Sequence, residues 1–143
     1  MAAEYSYPLA QTIAEDENII FLDGDRACKK GYITHRSGSG VFRLKGAGNA
    51  CKTVYRVTFN ANIAVAAGGT VGAISVALQE DGETLQNAIA TVTPTVAEAF
   101  FNVSLTTFIT IPCGCCVTVS VENISDGTAI DVTNSNIIFD RVA

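Results

Sequence analysis

Three of the chain's five cysteines fall within four positions, Cys113, Cys115 and Cys116, in a stretch that starts Ile-Pro-Cys-Gly-Cys-Cys at Ile111. Thiols at that density could hold a metal, carry a redox pair or form a disulfide clasp. A zinc site needs a further ligand at fitting spacing. The single histidine, His35, stands far off in Thr-His-Arg-Ser-Gly-Ser-Gly, and there is no second Cys-x-x-Cys. An odd number of cysteines cannot close a complete intramolecular disulfide framework, and a cytoplasmic site of synthesis keeps thiols reduced. The expectation is therefore free thiols that act as small core or interface residues, with no metal and no cofactor.

Catalysis finds no better footing. His35 could pair with a cysteine as base and nucleophile, but no activating surroundings are visible, and most globular chains offer one such pairing by chance. The glycines of His35–Gly40 and of Ala-Ala-Gly-Gly-Thr-Val-Gly at 66–72 lack the strand-to-helix context of a phosphate loop. Glu80 and Glu83 flank a turn and read as solvated carboxylates. The chain is expected not to be an enzyme.

The elements that would carry these residues are strands. Residues 53–65 place Tyr55, Val57, Phe59, Ala61, Ile63 and Val65 on one side and Arg56, Thr58, Asn60 and Asn62 on the other, a clear period of two. Phe42 and Leu44 alternate with Val41, Arg43 and Lys45. Ile74, Val76 and Leu78 lead into Asp81-Gly82, a strong hairpin signal. Phe101, Val103, Leu105, Ile109 and Ile111 share a face. Pro112 and Gly114 then suit a hairpin turn, with Cys113 at its tip, Cys115 inward and Cys116 outward. Seven or eight short strands, turns of Gly, Asp and Asn, and no convincing amphipathic helix predict an all-β sandwich of two antiparallel sheets.

The chain has 143 residues, 48% of them hydrophobic, enough for one well-buried core. No run approaches the ~20 apolar residues of a membrane span, and the start lacks a signal-peptide pattern, so the chain reads as soluble and made in a cytoplasm. Net charge is −5, and its layout is uneven. Residues 1–25 carry six acids and no base, residues 26–56 eight bases and no acid, and the remainder eight acids against Arg141. Such segregation suits segments that meet oppositely charged surfaces on the same chain or on neighbours. The basic block lacks exposed aromatics, which argues against nucleic acid. Residues 1–30, with Tyr5, Tyr7, Pro8 and the Glu15, Asp16, Glu17 cluster, show no sustained period and read as an acidic arm outside a domain at 31–143.

The informative misfits are apolar residues on faces that should be wet. Phe100 and Phe108 share parity with Asn102, Ser104, Thr106 and Thr110. In the last strand Ile137 and Phe139 occupy one face while Ile138 and Val142 occupy the other. Such a strand is central in the fold or covered by another subunit. A loop folded over the rings would also serve, but oligomer contacts are the preferred explanation, and homo-oligomerisation follows.

With these strands and turns in this order, the chain resembles the trimeric tumour-necrosis-factor-like jelly roll shared with complement-type globular heads and the C-terminal domains of spore-surface collagen-like proteins. The stretches that carry the likeness are VYRVTFNANIAVAAGG, VALQEDGETL, FFNVSLTTFITIPCGCCVTVSVEN and NIIFDRVA. More narrowly, it is similar to small proteins encoded near capsid genes in phages and prophages of gut Firmicutes, which look like head-decoration or head-fibre subunits. The likeness covers roughly residues 31–143, and the chain has no collagen-like repeats. What the resemblance implies is a homotrimer with the last strand and the 55–65 strand near its axis, an interface of Tyr55, Phe59, Phe100, Phe108, Ile137 and Phe139, and an arm that docks on the major capsid protein through Tyr5, Tyr7, Pro8, Glu15, Asp16 and Glu17. The expected place is the capsid exterior of a virion, with no membrane or nucleic-acid partner. The alternative is a host-surface or carbohydrate-binding jelly-roll module, or a spore-surface-type structural domain. A host glycan would then be the partner.

Overall fold

The computed structural model describes residues 2–28, 31–46, 52–112 and 116–142, and among these every regular element is a strand. In chain order they are β1 (Ala2–Tyr7), β2 (Gln11–Ile13), β3 (Leu22–Asp23), β4 (Ile33–His35), β5 (Phe42–Lys45), β6 (Lys52–Val65), β7 (Ile74–Glu80), β8 (Glu83–Val92), β9 (Phe101–Pro112), β10 (Cys116–Asn123) and β11 (Ile130–Arg141). One sheet has the order β3-β1-β11-β6-β9, with β2 also paired to β11; the other is β4-β5-β10-β7-β8. Every pairing is antiparallel. The two-sheet sandwich read from the sequence is the observed fold.

Alternation accounts for the packing. Along β6, Tyr55, Val57, Phe59, Ala61 and Ile63 are buried against the facing sheet, and β9 buries Val103, Leu105, Thr107, Ile109 and Ile111. Phe101 shares that face but lies at the open end of the strand and is 44% exposed. Asp81 and Gly82 both have positive φ, as a two-residue hairpin between Glu80 and Glu83 requires, and the Asp81 carboxylate accepts hydrogen bonds from the Thr118 backbone N–H and hydroxyl.

β11 resolves the question of a strand apolar on both sides. Its alternation changes phase at Asn134, where the register with β6 shifts and φ is 53°. Ile130 and Val132 point inward before this bulge, and Ser135, Ile137 and Phe139 after it. The strand is central: β6 lies on one side, β1 and β2 on the other. Ile137 and Phe139 are therefore buried in the protomer, while Ile138 lies half-buried on the outer face and borders a surface pocket with residues 25–27.

The first thirty residues differ from the expected arm. β1 pairs with β11 from Ala2 opposite Asp140 to Tyr7 opposite Ser135, and β2 continues along the same edge. From Ala14 the chain forms a strap. Asn18 and Ile19 run beside β10, and β3 then returns to pair with β1. The strap carries Ile19 and Phe21, both fully buried, into the side of the sandwich between β3 and β4. Residue 40 must be glycine here, because a Cβ would lie 2.6 Å from the Ile19 carbonyl oxygen. The sequence pattern missed these elements because β2 and β3 are too short for a period to register.

Removing residues 1–30 would strip β11 of its outer partners and empty the Ile19 and Phe21 sites. A chain beginning at Gly31 is therefore expected to be unfolded or aggregated by circular dichroism and gel filtration. Cooperative unfolding at the full-length midpoint would contradict this account of the fold.

Candidate functional site

Of the residues expected at an interface, Tyr55, Phe59, Ile137 and Phe139 are fully buried inside the protomer. The Tyr55 hydroxyl donates to the Lys45 carbonyl at 3.0 Å, and Phe59 and Phe139 meet other rings of the core. These four side chains present nothing to a neighbour, because the inward parity that makes a residue look important also encloses it between the sheets. Phe100 and Phe108 are different: they are 45% and 63% exposed. Phe101, Ile89 and Val96 join them among the exposed apolar residues, and all five come from residues 89–108.

Topology explains the clustering. β8 is the last strand of one sheet and β9 of the other, and the two lie against each other at the same side of the sandwich. Among the described residues each leaves one row of backbone groups without a strand partner. Edge strands are ordinarily blunted by Lys, Pro or inward charges. β8 carries no charge beyond its first residue, Glu83, and β9 none at all, with its one proline at the last position. From β9 an uncharged field spreads over the outer face of its sheet. Thr106 faces Thr58, Ser104 faces Asn60, and the Asn102 amide donates to Asn62, which donates in turn to Asn134. The Arg56–Asp140 ion pair, at 2.7 Å, bounds this field near Phe108.

The residues expected to dock elsewhere do not form one surface. Tyr5 is buried, its ring among His35, Phe42 and Phe139 and its hydroxyl accepting from the Cys28 backbone N–H at 3.1 Å. Tyr7 is half-buried and Pro8 exposed, both beside the β11 bulge. Glu15, Asp16 and Glu17 are exposed at the end of the sandwich where β10 finishes and β11 begins; Glu15 accepts from the Gly127 N–H at 2.7 Å. Glu98, Glu122, Asp126 and Asp131 lie around the same end. Burial, with the Asp16 carboxylate nearby, pushes the Glu122 carboxyl above the ordinary carboxylate range.

Asn123, which sequence reasoning passed over, ties this end together. It is fully buried, its amide donates to the carbonyls of Ile13 and Thr128, and its oxygen accepts from the Ser125 N–H. An Asn closing a valine-rich strand, just before a turn, is the signal that could have found it.

The cysteines depart from expectation. Cys116 is disulfide-bonded rather than a free thiol, and the Arg43 guanidinium lies 3.0 Å from its sulfur. Cys28 is a free, half-buried thiol. The expected turn at Cys113 and Gly114, and the inward Cys115, lie outside the described residues. Among the described residues no three His, Cys, Asp or Glu side chains are grouped to hold a metal ion. His35, although it stands in a stretch rich in Ser and Gly, is not a surface group: its side chain is 1% exposed and its ring stacks on Phe42.

No protein-family model and no curated protein matches the sequence. Among solved structures the chain is similar to an Eiger TNF from S. frugiperda, with a TM-score of 0.71 at 14% identity, over 100% of this chain and 92% of that one. It is also similar to the globular domain of a zebrafish complement 1qA protein, with a TM-score of 0.54 at 11% identity, over 99% of this chain and 94% of the other. At those identities the likeness establishes the fold, the jelly-roll sandwich of tumour necrosis factor and complement heads. It extends over residues 1–30 as well, in keeping with β1 to β3 being strands of the domain.

The raised Glu122 carboxyl gives a testable sign. Because the folded state disfavours its ionised form, the carboxylate costs stability above the titration range, and the cost fades as protonation sets in on acidification. Glu122→Gln is expected to raise the urea midpoint at neutral pH and to leave it unchanged in acid. A lower midpoint at neutral pH would contradict the assigned cause.

Proposed function

We propose that the chain is a non-enzymatic structural module that assembles with copies of itself into a threefold ring. The observation that carries this reading is the β8/β9 edge, free of charge beyond Glu83, with Phe108 63% exposed. A lone edge of this kind invites uncontrolled pairing, whereas a partner that covers it removes the hazard. A heterologous contact of the edge with a different face of the next copy closes into a ring when its rotation permits. The amide and hydroxyl rows outside β6 and β9 are a suitable receiving face, since they can be covered without burying an unpaired charge. The tumour-necrosis-factor-like fold is consistent with this assembly.

The finer reading is a capsid decoration or head-fibre subunit on the exterior of a virion, its partner the major capsid protein. What supports it is the acidic end of the sandwich, which includes the exposed Glu15, Asp16 and Glu17. With Tyr5 in the core and β1 in the sheet, attachment would use this acidic end rather than a free arm. Three such ends on one ring would bind a shell by avidity, each contact being weak alone.

Light scattering of the full chain is expected to give the mass of a trimer, and Phe108→Asp, a surface change, that of a folded monomer. A monomeric wild type would end the self-association reading. For the finer one, particles purified from the producing cells are expected to carry the chain in a fixed ratio to the shell protein; its absence from them would leave only the module.

A further inference from the structure

We propose that His35 is a proton-operated latch, closed by the doubly protonated ring, that holds the strap carrying Ile19 and Phe21 against the sandwich. His35 is the chain's only histidine. Its Nδ1 lies 2.5 Å from Asp23 Oδ1 on β3, and its Nε2 lies 2.7 Å from the Ser39 carbonyl oxygen in the β4–β5 loop. A carbonyl and an ionised carboxylate only accept hydrogen bonds, so both contacts can be donated together only by the imidazolium. A neutral ring donates one and turns a lone pair toward the other oxygen.

The ring is placed so that this difference is felt by the strap. Asp23 and His35 join the outermost strands of the two sheets. The same few residues are sewn together by the Phe21 N–H to the Ser39 carbonyl at 3.2 Å, the Gly38 N–H to the Phe21 carbonyl at 2.8 Å, and the Asp23 N–H to the Ser37 hydroxyl at 3.1 Å. Ser39 thus accepts from both the strap and the ring. Phe42 of β5 stacks on His35 at 4.2 Å, and Tyr5 of β1 meets it edge-on at 5.0 Å, which prevents the ring from turning away to water.

Among the described residues, the other charged or titratable groups around it do not compete. Asp23 is the acid facing the ring from β3. Burial holds the Tyr5 phenol above its ordinary range, so it stays neutral where imidazole titrates. β5 presents Phe42 to the ring, and Arg36, next in the chain, is exposed. Only the doubly donating ring makes both contacts, so loss of one of its protons removes a contact and weakens closure. Opening would uncover Ile19 and Phe21, which makes the β3/β4 side a surface that pH can release.

The test is amide hydrogen exchange at Phe21 and Gly38 in the full chain, corrected for intrinsic rates, at about pH 5 and about pH 8, the interval in which an unperturbed imidazole changes charge. Protection is expected to fall roughly tenfold toward the higher pH, the loss of about one buried hydrogen bond, and to be nearly constant in His35→Gln. Asp23→Asn serves if that variant does not fold, because its amide can turn to donate to the neutral ring and so removes the pH dependence. The ring nitrogens give an independent reading: both should show the 15N shifts of the protonated form at the acid end. A neutral tautomer there, or the same pH dependence in wild type and variants, would overturn the latch.

Discussion

The packing of rings around Phe42 is the contact on which the two sheets depend. Phe42 stands on β5 of one sheet, and Phe139, 4.9 Å away between centroids, on β11 of the other; Tyr5 of β1 closes the triangle at 4.8 Å from Phe42 and 6.1 Å from Phe139. Phe21 of the strap meets both Phe42 and Phe59, and His35 lies flat on Phe42. Most of these pairs are edge-on or tilted, the arrangement favoured by the ring quadrupole. One cluster thus joins the first strand, the strap, the second sheet and the last strand. Ends of the chain more than a hundred residues apart become neighbours, and the entropy of closing that loop is offset by apolar area from several elements at once.

The position of β11 follows from the same constraint. A last strand at a sheet edge could leave one side wet. Between β1 and β6, β11 must match both neighbours in register, and the shift at Asn134 lets it do so while returning Ile137 and Phe139 to the ring cluster. The residue at the bulge fits the job, since Asn tolerates positive φ better than most. The Ser135 hydroxyl donates to the Tyr7 carbonyl and Asn134 to that of Pro8, so the irregular point is also where β1 ends and the chain turns toward β2.

How much of this was legible depended on strand length. β6, β9 and the Asp81-Gly82 hairpin could be read directly because many alternating positions, or one specific turn, repeat the same message. β2 and β3, of three and two residues, cannot show a period, and their segment was read as an arm although Ile13, Ile19 and Phe21 are all buried. The interface residues failed for a related reason. Parity tells which residues share a face but not whether that face meets the other sheet or the outside, so Tyr55, Phe59, Ile137 and Phe139 could not be told from surface contacts. Phe100 and Phe108 were legible because they broke the parity of their own strand. The burial of His35 is not legible in the sequence because its partners, Asp23 and the Ser39 carbonyl, depend on a strap too irregular to show a pattern.

The two open sides of the sandwich are treated in opposite ways. At β3/β4 the chain supplies its own cover, with buried apolar side chains, a buried histidine and backbone hydrogen bonds from residues 18–23 to the 36–40 loop. At β8/β9 the described residues supply no strap and the strands carry no charge beyond Glu83, while five apolar side chains remain exposed. Both sides face the same problem of unpaired edges and a core that would otherwise meet water. A sequence that solves it internally on one side has the means to do so on the other, with a segment of only a few residues. The contrast therefore reads as a division of labour: one side is sealed within the protomer, and the other is shaped to be sealed by a neighbour.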